Sequence, residues 1–255
     1  SNTFVGEEAG QNNVGDNNTF LGAFAGENYS SGSNNVSVGR AALLGVDGSS
    51  SGNNNVSMGF NSMLANTTGA SNTAIGTQAL DANTSGSSNT AVGDNALGSS
   101  TTGTLNVAIG VLAGQDVTTA SELVAIGYDA GGSVTTGSNN VCIGRNAGNH
   151  DVTLQGGAQN IIIGDFSDVS DANATNQIIL GYNITAPSND HFLFGKPSNI
   201  VSNNFTSNAT FSRSSDVNKK TNIEDTDLGL SFINELRPVT FNWKSNSEFP
   251  KHYKD

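Results

Sequence analysis

Three carboxylates follow Gly164 within one short stretch: Asp165, Asp168 and Asp171. Paired carboxylates across a groove hydrolyse glycosidic bonds, one as acid and the other as base or nucleophile. Asp165 with Asp168, or Asp168 with Asp171, would therefore suit an enzyme that degrades surface polysaccharide; acids in one loop read equally as solvated charges. His150, His191 and His252 have no ligand spacing and read as surface or core histidines, and scattered acids such as Asp94 and Asp129 do not recur at a fixed place as a calcium-bound repeat requires. No metal and no cofactor is expected. Cys142 is the one cysteine, which excludes an internal disulfide. Near the C-terminus, Ser215-Asp216-Val217-Asn218-Lys219-Lys220-Thr221-Asn222-Ile223 sets a hydroxyl five residues before a lysine. That spacing alone assigns nothing, because serine is abundant here and the two lysines read equally as a solvated basic patch.

These groups sit on an unusual chain. Of its 255 residues only 35% are hydrophobic and 13% charged, with 31 glycines and 4 prolines. Disordered chains carry more charge and proline, and lack the short apolar clusters that recur here. Residues 1–212 hold 15 Asp/Glu against Arg40, Arg145 and Lys196, a net of -12, whereas residues 213–255 hold 7 of each sign. So few cations exclude nucleic-acid binding by the long region. No apolar run approaches the roughly 20 residues of a membrane span. Ser1-Asn2-Thr3-Phe4-Val5-Gly6 opens in mid-repeat, which predicts that the natural N-terminus has been removed.

Aligned on one glycine per segment, the chain gives Gly6, Gly22, Gly39, Gly59, Gly76, Gly93, Gly110, Gly127, Gly144, Gly164, Gly181 and Gly195, mostly 17 residues apart, with two steps of 20. The residue before each anchor glycine is apolar, and the residue two places earlier is Thr, Val, Ile or Phe. Alternation along a strand points these two the same way, predicting an inward-facing pair. The residue between them is mostly small, as in Ser37, Ala74, Ala108 and Cys142, and would face a closely approaching second surface. Short strands separated by polar turns bury a face only by stacking, so the expected fold is all-β, a parallel β-solenoid of about 17-residue coils. Thr73 and Thr90 give way in register to Val107, Val124 and Val141, which argues against an ice-binding face.

The Asn-Thr-Ala-Ile-Gly-x-x-Ala pattern, seen at Asn72-Thr73-Ala74-Ile75-Gly76 and twice more as Asn89-Thr90-Ala91-Val92-Gly93 and Asn106-Val107-Ala108-Ile109-Gly110, resembles the head repeats of trimeric autotransporter adhesins and the longer-period versions in phage tail fibres and bacterial surface proteins. The resemblance covers residues 1–197 and implies a homotrimeric β-roll in which the small strand residue packs toward the threefold axis. The longer period here puts its extra residues in the Ser/Thr/Gly loops. Residues 198–212 lose the anchor and read as a connecting segment.

From residue 213 the composition changes. Asp225 or Thr226 would cap a helix whose apolar face is Leu228, Leu230, Phe232, Ile233 and Leu236, stopped by Pro238. Val239, Phe241 and Trp243 then alternate as in a strand. By itself this opens a small α+β module. Together with Leu236-Arg237-Pro238-Val239 and Trp243-Lys244, the segment resembles the intramolecular chaperone domain at the C-terminus of phage endosialidases and tail fibres, which assembles a trimer and then cuts itself off. The resemblance implies Ser215 as nucleophile, Lys220 as its base and Ser214–Ser215 as the scissile bond. It also implies that residues 213–255 are only the first part of such a domain.

The expectation is a homotrimeric fibre that attaches to a host surface glycan or receptor protein and is carried on a virion tail. A bacterial cell-surface or secreted adhesin of the same build, or a tailspike enzyme, is the alternative.

Overall fold

The computed structural model describes residues 1–46, 50–207 and 212–213. Short strands recur once per coil: β1 (Thr3–Val5), β2 (Thr19–Leu21), β3 (Val36–Val38), β4 (Val56–Met58), β5 (Thr73–Ile75), β6 (Thr90–Val92), β7 (Val107–Ile109), β8 (Val124–Ile126), β9 (Val141–Ile143), β10 (Ile161–Ile163), β11 (Ile178–Gly181) and β12 (His191–Lys196). Each pairs in parallel with the next, so equivalent residues stack, as in Ala74↔Ala91 and Ala91↔Ala108. The fold is the expected all-β parallel solenoid. The helix at 225–236 and the strand from Val239 lie outside the described residues.

The turns explain the composition. The second residue after the anchor glycine is left-handed in successive coils, with φ of 53° at Gln78, 53° at Asn95, 60° at Leu112 and 53° at Asp129. A second left-handed residue precedes the strands from β2 to β11, with φ of 59° at Ser71 and 61° at Ser88, and a third stands four residues after the anchor in most coils, with φ of 52° at Leu80 and 58° at Gly114. Non-glycine residues resist this region by about 1–2 kcal/mol each, and asparagine, which tolerates it best, is the commonest of them here. The anchor glycine is closely approached by the next coil. Gly127 has φ 131°, and a Cβ on it would stand 2.6 Å from the carbonyl oxygen of Gly144 in the next coil.

The expected facing of the strand residues is reversed, and with it the packing of the small residue toward a threefold axis that the adhesin-head resemblance implies. The small middle residue of each strand faces the interior of its own coil, and its two apolar neighbours face outward. Ala74, Ala91, Ala108, Ala125 and Cys142 are fully buried, whereas Ile75 and Ile109 are 38% and 41% exposed. Ser37 Oγ donates to the Ala42 carbonyl (2.7 Å) and Ser57 Oγ to the Ser62 carbonyl (2.9 Å), across the coil from their strands. The coil is narrow, so the middle residue meets the corner opposite: a Cβ on Gly131 would lie 3.4 Å from Cys142 Sγ. Larger middle residues occur toward the two ends of the stack, Phe4 and Phe20 at one and Ile162, Ile179 and Leu193 at the other. Phe4 and Phe20, stacked on each other at 5.0 Å, occupy the space left by Gly10 and Gly26.

The asparagine that opens each strand points inward as well. Asn55, Asn72, Asn89 and Asn106 are buried; Asn72 Nδ2 donates to the Gly86 carbonyl (2.8 Å), while Asn72 Oδ1 accepts the Asn89 backbone N–H (2.9 Å). Such a ladder satisfies backbone groups that no strand partner reaches. Residues 198–212, expected to connect, contain β13 (Asn199–Asn204), which folds back antiparallel on β12, and β14 (Ser212–Arg213) pairs with it. This hairpin covers the open edge of the parallel stack.

Ala108→Phe should lower stability by about 1–3 kcal/mol through overpacking, and Gly127→Ala should do so through backbone strain. Chemical denaturation of both variants checks this; a wild-type midpoint for Ala108→Phe would contradict the inward placement.

Candidate functional site

The strand face turned away from the coil interior carries two columns. One runs Val107, Val124, Val141, Ile161 and Ile178, and the other Ile109, Ile126, Ile143, Ile163 and Leu180, in register from coil to coil. Thr3, Thr19, Thr73 and Thr90 continue the first column toward the N-terminus, and no charged side chain interrupts either column from β1 to β11. Parallel sheets are ordinarily covered on both faces. Here the solenoid covers one, leaving an apolar stripe of ten coil rises, about 48 Å at strand spacing.

The three carboxylates do not converge on a groove. Asp165 Oδ1 accepts the Arg145 backbone N–H (2.9 Å) and its Oδ2 lies 4.0 Å from Arg145 Nε. Asp171 accepts from Asn173 N (2.9 Å) and Ser170 Oγ (3.2 Å) in its own exposed turn. Asp168 is 1% exposed and turns inward, where Oδ1 accepts the His150 N–H (3.0 Å) and Oδ2 the Asp151 N–H (2.9 Å). Its role follows from the insertion. The step from Gly144 to Gly164 carries three extra residues, and Asp168, in the next coil, binds the amides of that bulge. A carboxylate so enclosed has no access to a polysaccharide. Burial pushes the Asp168 carboxyl above the ordinary 3.8 of an aspartate, against the pull of those amides.

His150 Nδ1 stands 3.4 Å from Asp151 Oδ1 and 3.6 Å from Asp168 Oδ2. These are the metal-type donors that approach one another among the described residues, but the buried carboxylate already accepts two amides, so the arrangement reads as a loop clamp. His191 Nδ1 lies 3.1 Å from Ser188 Oγ and 3.0 Å from the Asn189 carbonyl, a surface turn. Burial pushes the Cys142 thiol up to about 12, leaving a packing residue rather than a nucleophile. Ser215, Lys219, Lys220 and His252 lie outside the described residues. What sequence reasoning missed is a surface feature: Arg40 and Arg145 both follow an anchor glycine, and both guanidiniums stand over phenylalanine rings.

Residues 215–254 match the Peptidase_S74 family, chaperone of endosialidase. That match begins at Ser215, immediately after the compact unit Ser1–Ser214. No curated protein and no solved structure matches the chain.

Burial raises the Asp81 and Asp129 carboxyls as well as Asp168. A raised folded-state value means that the folded chain retains protons the unfolded chain has released. The stabilisation is complete below the unfolded value near 3.8 and is lost as pH rises through each folded value. The solenoid should therefore melt higher near pH 4, close to the unfolded value, than at pH 8. Asp168→Asn, which removes one of the charges and offers a bulge amide a donor instead of an acceptor, should flatten that difference and lower the melting temperature at both pH values. Calorimetry of the two proteins across this range measures it.

Proposed function

We propose that this chain is the shaft and assembly segment of a homotrimeric fibre that attaches to a host surface, carried on a virion tail. The observation that supports this most is the uncharged apolar stripe along the outer strand face. Monomeric soluble proteins rarely leave so large an apolar surface open, and parallel copies set against one another along the stripe would bury it from end to end. The stripe of a parallel solenoid has one direction, so closed cyclic symmetry with all chains parallel satisfies it. Three chains, rather than two, is the stoichiometry that the adhesin-head resemblance implies. The chaperone-of-endosialidase match supports the same reading, since an assembly domain belongs at the end of a chain that must find its partners in register.

In this reading the C-terminal domain then leaves. Lys220, kept neutral by its surroundings, takes the proton of Ser215 Oγ. The oxygen attacks the Ser214 carbonyl carbon, the Ser214–Ser215 C–N bond breaks to free the Ser215 amino group, and water hydrolyses the resulting ester to leave the Ser214 carboxylate. The start of the family match at Ser215 agrees with this cut.

Light scattering of the uncut chain should give about 78 kDa, three times its 26.1 kDa. Ile109→Glu combined with Ile126→Glu should give monomers that keep a β-rich circular dichroism spectrum. A trimer unaffected by both charges would move the interface off the stripe.

Mass spectrometry of the complete gene product should show a fragment beginning at Ser215. Ser215→Ala and Lys220→Ala should each leave the chain uncut and trimeric; cleavage persisting in both would remove the two assigned roles.

A further inference from the structure

The residue after the anchor glycine lies at an exposed corner beside the strand face. On four successive coils this column reads Tyr128, Arg145, Asp165 and Tyr182. Tyr128 and Tyr182 are 53% and 57% exposed, on a chain where aromatic residues make up only 7%. Between them the groups are fixed against one another. The Arg145 guanidinium stands 4.2 Å over the Phe166 ring, Phe166 meets Tyr182 edge to face at 6.3 Å and 74°, and the His150 ring lies 4.7 Å away on the bulge that Asp168 clamps.

Large rings left in water oppose burial of apolar area, and tyrosine combines such a ring with a polar tip. The neighbourhood supplies further hydrogen-bonding groups of both kinds: guanidinium, carboxylate, imidazole and two phenols. A pyranose presents the complementary surface, a face of C–H groups that lies on a ring and a rim of hydroxyls that both donate and accept. Tyr128 and Tyr182 are three coil rises apart, about 14 Å, which suits several linked sugars better than one. A protein partner fits less well, because the two phenols are separated by the Arg145–Asp165 pair and do not form the apolar core of a standard interface.

Charge selects among glycans. Arg145 is paired with Asp165, so the corner is locally neutral, and the surrounding residues 1–212 carry a net -12. An acidic polysaccharide would be repelled along its length, an uncharged one would not. The geometry points to Tyr128, Arg145, Asp165, Phe166 and Tyr182 as a binding site for an uncharged glycan chain. This rests on the attachment reading above and names the class of receptor.

The full chain is run by affinity electrophoresis through gels containing neutral polysaccharides (mannan, glucomannan, galactan, dextran) or acidic ones (alginate, polygalacturonate). Retardation is expected in at least one neutral gel, weakened about five- to tenfold by Tyr182→Ala and unchanged by Val14→Ala, an exposed substitution elsewhere. Retardation in no neutral gel, in acidic gels alone, or equal for Tyr182→Ala and the parent overturns the site. Labelled protein is also incubated with a panel of intact bacterial strains. Cell binding that survives Tyr182→Ala keeps attachment and overturns this site; binding to neither cells nor gels overturns both.

Discussion

Successive coils approach to the spacing of hydrogen-bonded strands, about 4.8 Å, and at the anchor glycine there is room for nothing beyond hydrogen. A Cβ at Gly39 would meet the carbonyl oxygen of Gly59 at 2.6 Å, and one at Gly127 the carbonyl of Gly144 at the same distance. Each anchor thereby fixes where the chain leaves its strand relative to the coil above. Once that exit is fixed, the strand residues must stack in register, the three left-handed turn positions recur at set offsets, and a length change is confined to the turns. Both 20-residue steps obey this. In one the bulge amides are bound by the Asp168 carboxylate, and in the other Ser50 Oγ accepts the Val46 N–H (2.8 Å) and donates to the Asn66 carbonyl (3.0 Å).

A fixed cross-section makes the interior a problem of constant volume solved differently along its length. Toward the N-terminus the centre is polar: the buried Tyr29 hydroxyl accepts from Asn66 Nδ2 (2.8 Å) and Asn55 Nδ2 (3.2 Å), and Asn83 Nδ2 donates to Asn66 Oδ1 (2.8 Å). Further on, Val117, Val134 and Leu154 fill the equivalent column. The change coincides with Leu123, which interrupts the asparagine ladder between Asn106 and Asn140 while its backbone N–H still donates to Asn106 Oδ1 (2.9 Å). A Cβ on Gly114 would lie 3.3 Å from Leu123 Cδ2, so the leucine occupies space that a side chain at 114 would otherwise take. Residues distant in sequence are thus coupled in size, and replacing one of them alone leaves a void or a clash.

The period was legible because the anchor glycine has no substitute, and a column with one permitted residue shows in any alignment of the chain with itself. Alternation also separated the two strand faces. It did not say which face was inside. Apolar side chains at Val107 and Ile109 beside a small Ala108 suggest that the larger pair is the core, a sound inference for an isolated chain. The structure reverses it because the coil is too narrow for the pair, and the chain leaves its larger apolar residues outside. The role of Asp168 was hidden for another reason: its slot, four residues after the anchor, holds leucine, methionine or glycine in every earlier coil, and an acid there signals a clamp only once the neighbouring bulge is seen. The proposed Ser215 and Lys220 roles came from resemblance, since serine five residues before lysine is no rarer than chance in such a chain.

Register, interior and outer strand face leave little freedom along most of each coil. The corners do not share this restriction: the positions after the anchor glycine hold residues as different as Thr77, Asp94, Val111 and Tyr128 on consecutive coils, with the backbone conformation of the following residue kept. A recognition surface can therefore change at these positions without disturbing the stack. Such a surface gains from repetition as well. A shallow corner makes few contacts, so its grip on any one ligand is weak, and copies held on a common axis multiply retention by presenting the next site at high effective concentration. One coil exit, repeated from strand to strand, also sets the corner groups at a constant rise along the solenoid.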